Sequence, residues 1–240
     1  MQNATKDLLL SVVIPAFNES AYLSPTIASV RASFSRAGIG PYQIIVVDDA
    51  STDGTADVAR RARAFVVASG CRNIGATRNA GAKVARGKYL LFLDADTHLN
   101  AGVAEELAAA VARGAMAGGT CFQWSEKAPW HGVVAAGIWN CISRIFRWPC
   151  GSFIFVQRDV FEKVGGFDEA YFASEEIHLA RKLKKHGRLV ILHAKVSSSP
   201  RKLDQISVSE VVSFVLRWLR APRRTLQTRR YLDYWYNQRG

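Results

Sequence analysis

No stretch of this 240-residue chain reaches the roughly 18 to 20 consecutive apolar residues that a bilayer-spanning helix needs, so membrane contact is expected to be peripheral at most. Closely spaced cysteines are missing as well. Cys71, Cys121, Cys141 and Cys150 form neither a Cys-x-x-Cys pair nor a dense framework, which disfavours zinc and disulfides and points to reduced thiols in a cytoplasmic setting. A secretory leader is not legible, because Lys6 and Asp7 precede only a short apolar run that continues into Val12-Val13-Ile14-Pro15. There is no internal repeat and no low-complexity segment. Acidic residues are scarce, 20 against 32 Lys and Arg, and the resulting net charge of +12 is unevenly spread. Residues 201–240 hold nine basic and three acidic residues, half of the excess in a sixth of the chain, and such a segment seeks an acidic surface.

Hydrophobic residues make up 49% of the chain, which excludes disorder, and the length suits one large α/β domain with an appendage. Leu8 to Ile14 is predicted as a buried strand ended by Pro15, followed by a helix over Ser20–Arg36 with Tyr22, Leu23, Ile27, Val30 and Phe34 at helical spacing. A second strand, Gln43–Val47, closes on Asp48-Asp49-Ala50-Ser51-Thr52-Asp53-Gly54. Thr52 or Asp53 is expected to cap a helix reaching about Phe65, and Val66-Val67 to form a short third strand. Asn73 to Gly81 opens the next helix, Asn100 caps another through Arg113, and Met116–Trp124 is a strand. Trp130–Trp148 reads as an amphipathic helix with Val134, Ile138, Cys141, Ile142 and Ile145 on one face and Asn140, Ser143, Arg144 and Arg147 off it. A strand at Ser152–Val156, helices at Arg158–Val164 and Glu175–His186, and a last strand at Leu189–Val196 follow. A helix at 207–220 carries a valine and leucine stripe. Strands alternating with helices of this length predict βαβ units and a mainly parallel central sheet flanked by helices. The expected division is one α/β domain over 1–200 and a basic amphipathic helical extension over 201–240.

The chain is organised around Tyr89-Leu90-Leu91-Phe92-Leu93-Asp94-Ala95-Asp96-Thr97. An apolar run of this kind is a strand buried on both faces, and it stops at two carboxylates. In an open parallel sheet ligands bind beyond the carboxyl ends of the strands, so Asp94 and Asp96 are placed to meet one. In an extended chain the two would point the same way. Acceptor-only oxygens are what Mg²⁺ or Mn²⁺ takes from a protein, although Asp96 and Thr97 would equally serve as a helix cap.

Taken together, these strand ends resemble the family 2 glycosyltransferases, with the GT-A, Rossmann-like fold of nucleotide-diphospho-sugar transferases. The resemblance covers about Leu8 to Pro200. It rests on Val12 to Glu19, Val46 to Thr55, Asn73 to Gly81, Gly87-Lys88-Tyr89 running into Asp94-Ala95-Asp96, Gly165 to Glu169, and Glu175 to Leu179. It implies an inverting sugar transfer from a nucleoside-diphosphate donor, UDP rather than GDP, with Mn²⁺ or Mg²⁺ neutralising the departing pyrophosphate. Asp96 would ligate that metal, and Asp94 would bind the ribose or reach the metal through water. Pro15, Phe17 and Asp49 match positions lining the base pocket, and Glu19, Asp48, Arg78 and Ala95 fall among the nucleotide-side residues. Asp48 either faces the nucleotide or caps the turn through Ser51. The acceptor hydroxyl needs a general base, and Glu176 matches the second acid of the family's Glu-Asp pair, with Glu in place of Asp. His178 stands where a further acid is usual. His193 would complete the metal site or be an ordinary strand histidine, and Arg201 would bind the diphosphate or begin the basic tail.

Arginines alternating with Trp218, Tyr231, Tyr234, Trp235 and Tyr236 suit an anionic membrane surface, and the 130–148 helix supplies a second amphipathic surface. A peripheral position on the cytoplasmic membrane face and a lipid-linked acceptor are therefore expected; a nucleic-acid partner is not, and a homo-oligomer formed through the 207–220 stripe stays open. A nucleotidyltransferase of the same fold is the alternative activity, but it would need a Gly-rich basic loop where this chain has Pro15-Ala16-Phe17-Asn18-Glu19. A degenerate nucleotide-sugar-binding protein is the alternative without catalysis.

Overall fold

The structure, a computed structural model, describes residues 9–201 and 226–228, so the expected 207–220 helix lies outside the described residues. Strand β1 (Leu10–Ala16) is buried along its whole length and sits inside the sheet, with β2 (Tyr42–Asp48) on one side and β4 (Tyr89–Leu93) on the other, all parallel. Beyond β2 lies β3 (Phe65–Ala68). On the far side of β4 come β7 (Phe153–Gln157), β6 (Ala117–Trp124), β8 (Val190–Ser198) and the two-residue β5 (Thr97–His98), giving the order β3-β2-β1-β4-β7-β6-β8-β5. Four of the seven pairings are parallel and the antiparallel ones are confined to β4–β7, β6–β7 and β5–β8, so the half from β3 to β4 is wholly parallel.

The period of two along β1 and β4 divides the core between two faces. Val12, Ile14, Leu91 and Leu93 join Leu23, Ile27, Val30 and Phe34 of α1 (Ser20–Arg36) and Val103 and Leu107 of α4 (Ala101–Ala112). Val13, Leu90 and Phe92 instead meet Ala82 of α3 (Ile74–Val84), Phe161 of α6 (Arg158–Lys163) and Leu179 and Leu183 of α7 (Glu175–Lys184). Each such side chain contributes about 1.5–3 kcal/mol through burial. Helix α3 lies unusually close to the sheet: a Cβ on Gly81 would stand 2.4 Å from Val13 Cγ1 and 2.8 Å from Val47 Cγ2.

Several expectations need correction. Pro15 does not end β1. The Ala16 carbonyl accepts from the Asp49 N–H at 2.8 Å, so Ala16 points to β2 and Pro15 points to the β4 side, where the ladder has already stopped at Val13–Phe92. A residue without an N–H is tolerated there. Helix α2 (Thr55–Arg61) is shorter than expected, with left-handed Gly54 as its N-cap, and Phe65 starts β3. Thr97 belongs to β5 rather than to a helix cap, and α4 is capped by Asn100, whose Oδ1 accepts from the Val103 N–H at 3.1 Å. Helix α5 (Trp130–Phe146) forms as expected, but it presents its apolar face outward.

Candidate active site

The chain runs β1, β2, β3 in one direction and returns past β1 to β4, so the switch point lies between β1 and β4, where crevices of open α/β sheets form. The loop after β1 supplies Phe17, Asn18 and Glu19, and the loop after β2 supplies Asp49 to Asp53. The two loops are stitched together. The Asn18 N–H donates to Ser51 Oγ at 3.0 Å, the Thr52 N–H to Asn18 Oδ1 at 2.9 Å, the Glu19 N–H to Thr55 Oγ1 at 2.8 Å and the Ser20 N–H to Asp53 Oδ2 at 3.0 Å. Ser51 thus serves Asn18.

A shallow cleft opens against these loops, lined by Pro15, Ala16, Phe17, Asp49, Arg72, Ile74 and Thr77. The Arg72 guanidinium lies 3.7 Å from the Phe17 ring centroid, a cation–π contact. Asp49 is buried, and its Oδ1 accepts from Ser69 Oγ at 2.8 Å and from the Arg72 N–H at 3.1 Å. Pro15, Phe17 and Asp49 therefore share one cleft. Arg72 and Ser69 were not legible beforehand, because neither stands in a motif and Arg72 is aimed by a left-handed backbone (φ 48°). The Asp48 Oδ1 is buried without a hydrogen-bond partner among the described residues, a condition that costs about 1–3 kcal/mol and suits an atom that awaits a donor.

Asp94 and Asp96 do not point the same way. Strand β4 ends at Leu93, and residues 94–97 form a turn in which the Thr97 N–H donates to the Asp94 carbonyl at 3.1 Å, so the carboxylates diverge. Asp94 accepts from Arg78 at 2.9 Å, whereas Asp96 Oδ2 accepts from Arg201 at 3.1 Å. Ala95 is buried in the core and its carbonyl accepts from Thr26 Oγ1 at 2.8 Å, so it holds the turn rather than facing a ligand.

Arg78 is 2% exposed and its guanidinium faces inward. It donates to Glu175 Oε1 at 2.6 Å, to Asp94 and to the Gly151 carbonyl at 2.8 Å, and its Nε lacks a partner among the described residues. Although burial pushes Arg78 down, the Asp94 and Glu175 charges hold it above its ordinary value. Glu175 is buried in this pair, not a solvated first-turn acid. Glu176 follows it at the start of α7, within 4 Å of where a Cβ on Gly151 would stand. Burial pushes the Glu176 carboxyl up to about 8, the neighbouring Glu175 adds to the rise, and Arg78 opposes it. His178 stacks on Tyr171 with centroids 3.8 Å apart.

Arg201 turns inward. It donates to Glu19 Oε1 at 2.5 Å and to Glu19 Oε2 and Asp96 Oδ2 as well, and it covers the Tyr22 ring at 4.1 Å. Glu19 and Asp96 are thereby gathered around one cation. His193 is not among them: its side chain is 88% exposed beside Glu106, and it lies five residues up β8 from Ser198, the partner of Thr97. At about 3.3 Å per strand residue that is roughly 16 Å from the Asp96 turn, too far for a shared metal.

The sequence description "Glycosyl transferase family 2" matches residues 11–165, nearly two thirds of the chain. The chain belongs to glycosyl transferase family 2. Among curated relatives, the undecaprenyl-phosphate 4-deoxy-4-formamido-L-arabinose transferase of Aeromonas hydrophila is 34% identical over 104 residues, 39% of this chain and 31% of that protein. The poly(ribitol-phosphate) beta-N-acetylglucosaminyltransferase TarP of Staphylococcus aureus is 31% identical over 104 residues, 41% of this chain and 31% of its own length. The family 2 chain thus matches about a third of the length of these relatives. Its GT-A fold is shared with S. aureus TarS in complex with UDP-GlcNAc (TM-score 0.64, 17% identity, 96% of this chain and 73% of that one). It is shared also with a mannosyltransferase of Pyrobaculum calidifontis in complex with GDP-Man and Mn²⁺ (TM-score 0.58, 21% identity, 78% and 55%).

Proposed function

We propose that this family 2 chain transfers a sugar from a nucleoside-diphosphate donor, UDP in preference to GDP, to an acceptor hydroxyl with inversion. The observation that carries this reading is convergence at the carboxyl ends of β1, β2 and β4: the Phe17–Asp49 cleft, the Asp94–Asp96 turn and Glu176 on the start of α7.

The residues fit a divalent cation. Asp96 and Glu19 already share the Arg201 guanidinium, and a hard cation needs only one or two carboxylates alongside substrate phosphates. When bound, such a cation neutralises the charge that develops on the departing diphosphate. Phe17 with Arg72 offers a flat cationic edge to a base, and Asp49 and Asp48 offer acceptors to its N–H groups or to the ribose. Arg78 holds Asp94 and Glu175 in place without facing solvent. Glu176, beside that brace, takes the proton from the acceptor hydroxyl as its oxygen attacks the anomeric carbon opposite the diphosphate. Arg201, released from Asp96, remains beside the diphosphate.

Thermal unfolding with UDP, GDP and their sugar conjugates, each with and without Mn²⁺, tests the donor site. A ligand present at a hundredfold excess over its Kd stabilises by about 2.7 kcal/mol, or roughly 5 to 10 °C for a chain of this size. The expected result is a manganese-dependent rise with uridine nucleotides that Asp96→Asn abolishes. No rise with any nucleotide overturns the proposal.

A further inference from the structure

Helix α5 is attached to the sheet by Trp139, which packs against the core, and by polar and small residues. The Asn140 amide is clamped to β6, its Nδ2 donating to the Phe122 carbonyl at 2.8 Å and its Oδ1 accepting from the Phe122 N–H at 3.1 Å. Trp124 Nε1 donates to the Gly132 carbonyl at 3.0 Å, and Ala136 and Ser143 are buried on the same side. The opposite side bears Trp130, Val134, Ile138, Cys141 and Ile145 at spacings of four, four, three and four, one continuous stripe about 22 Å long. Six of the eight large hydrophobic side chains that are exposed among the described residues belong to this one helix, with Trp130 at 78% and Ile145 at 68%. Scattered exposed apolar residues are ordinary; a stripe of them marks an interaction surface.

Charge at the helix end identifies the occupant. Helix α5 contains no acidic residue. Arg144 is exposed beside the stripe, Arg147 closes the helix, and from α7 Arg181 and Lys184 pack over Trp148 at 5.5 and 5.7 Å, with Lys184 donating to the Phe146 carbonyl. None of these four cations has a carboxylate partner among the described residues. Lys184 is held below its ordinary value, first by burial and then by Arg147 and Arg181. We propose that the outward face of α5 docks on an anionic lipid bilayer, its apolar stripe in the boundary between headgroups and acyl chains and its four cations against headgroup phosphates. An amphipathic helix binds a membrane surface in this way. A second copy packed through the same patch would bring the two cation clusters together. Residues 202–225 hold five basic and two acidic residues and would add to the same excess. Anionic headgroups remove it, with about fivefold in affinity for each cation near the surface. Helix α5 leads through Pro149 and Cys150 into Gly151, which contacts Arg78, so docking sets that loop beside the bilayer.

Sedimentation of the full chain with phosphatidylcholine vesicles, with and without phosphatidylglycerol, tests the docking. Wild type is expected to bind the anionic vesicles and to lose most binding at high salt. Ile138→Asp/Ile145→Asp should bind at least about tenfold more weakly, with its unfolding midpoint and nucleotide response unchanged. If the aspartates lower the midpoint, Ile138→Ser/Ile145→Ser carries the same comparison. Three results overturn the proposal: no binding of wild type to either vesicle, binding undiminished in the variants, which assigns it to residues 202–240, or a dimer in light scattering that the variants dissolve.

Discussion

At the scale of the residue, the base proposed above, Glu176, would couple chemistry to pH. Its carboxyl is raised from an ordinary 4.5 to about 8, chiefly by burial. Only the ionised form accepts a proton, so kcat/KM is expected to climb as pH rises through about 8, and Glu176→Gln to lose about 10²–10⁴-fold in rate with donor binding retained. The effect on stability has the opposite sense. Between 4.5 and about 8 the folded chain keeps a proton that the unfolded chain releases, so this group's contribution to stability falls as pH rises through that window. Glu176→Gln should therefore unfold at a higher temperature than wild type at pH 8, and the gap should close towards pH 5. Equal midpoints at both pH values would mean that the carboxyl is not perturbed. Cys150 nearby, pushed up to about 12 by burial, takes no part as a thiolate.

At the scale of the element, α3 sets the site through its closeness to the sheet. Gly81→Ala would place a methyl group 2.4 Å from Val13 Cγ1, and overpacking of this kind typically costs about 1–3 kcal/mol. Chemical denaturation is expected to show that loss. Activity should fall with it, because Arg78 stands on the same helix three residues earlier and braces both Asp94 and Glu175. Elements with local signals were legible in the sequence. Helix α1 has the predicted bounds, and Asn73 and Asn100 cap α3 and α4 as their positions suggest. Features set by distant partners were not legible. Apolar spacing reveals that α5 has two faces, but its direction depends on Asn140 meeting Phe122, eighteen residues away. The Asp94–Asp96 spacing marks the end of a buried strand but hides the turn that sends each carboxylate to a different arginine. Two-residue β5 exists only because the end of β8 lies alongside it.

At the scale of the molecule, Arg201 ties the last strand to the first loop across 182 residues of sequence. An arginine that neutralises two buried carboxylates stabilises the fold when no other cation is present and opposes one that seeks the same oxygens. Arg201→Ala is accordingly expected to lower the unfolding midpoint without metal and to enlarge the increment produced by Mn²⁺. If metal binding proves unchanged in that variant, Arg201 and the cation do not share the Asp96 carboxylate. The same tie imposes an order in time. At about 5–20 residues per second, a ribosome completes Arg201 roughly 10 to 40 s after Glu19. For that interval the nascent chain carries Glu19, and later Asp96, without the arginine that binds both in the finished protein, so a divalent ion met during synthesis would find its carboxylates before their internal competitor exists.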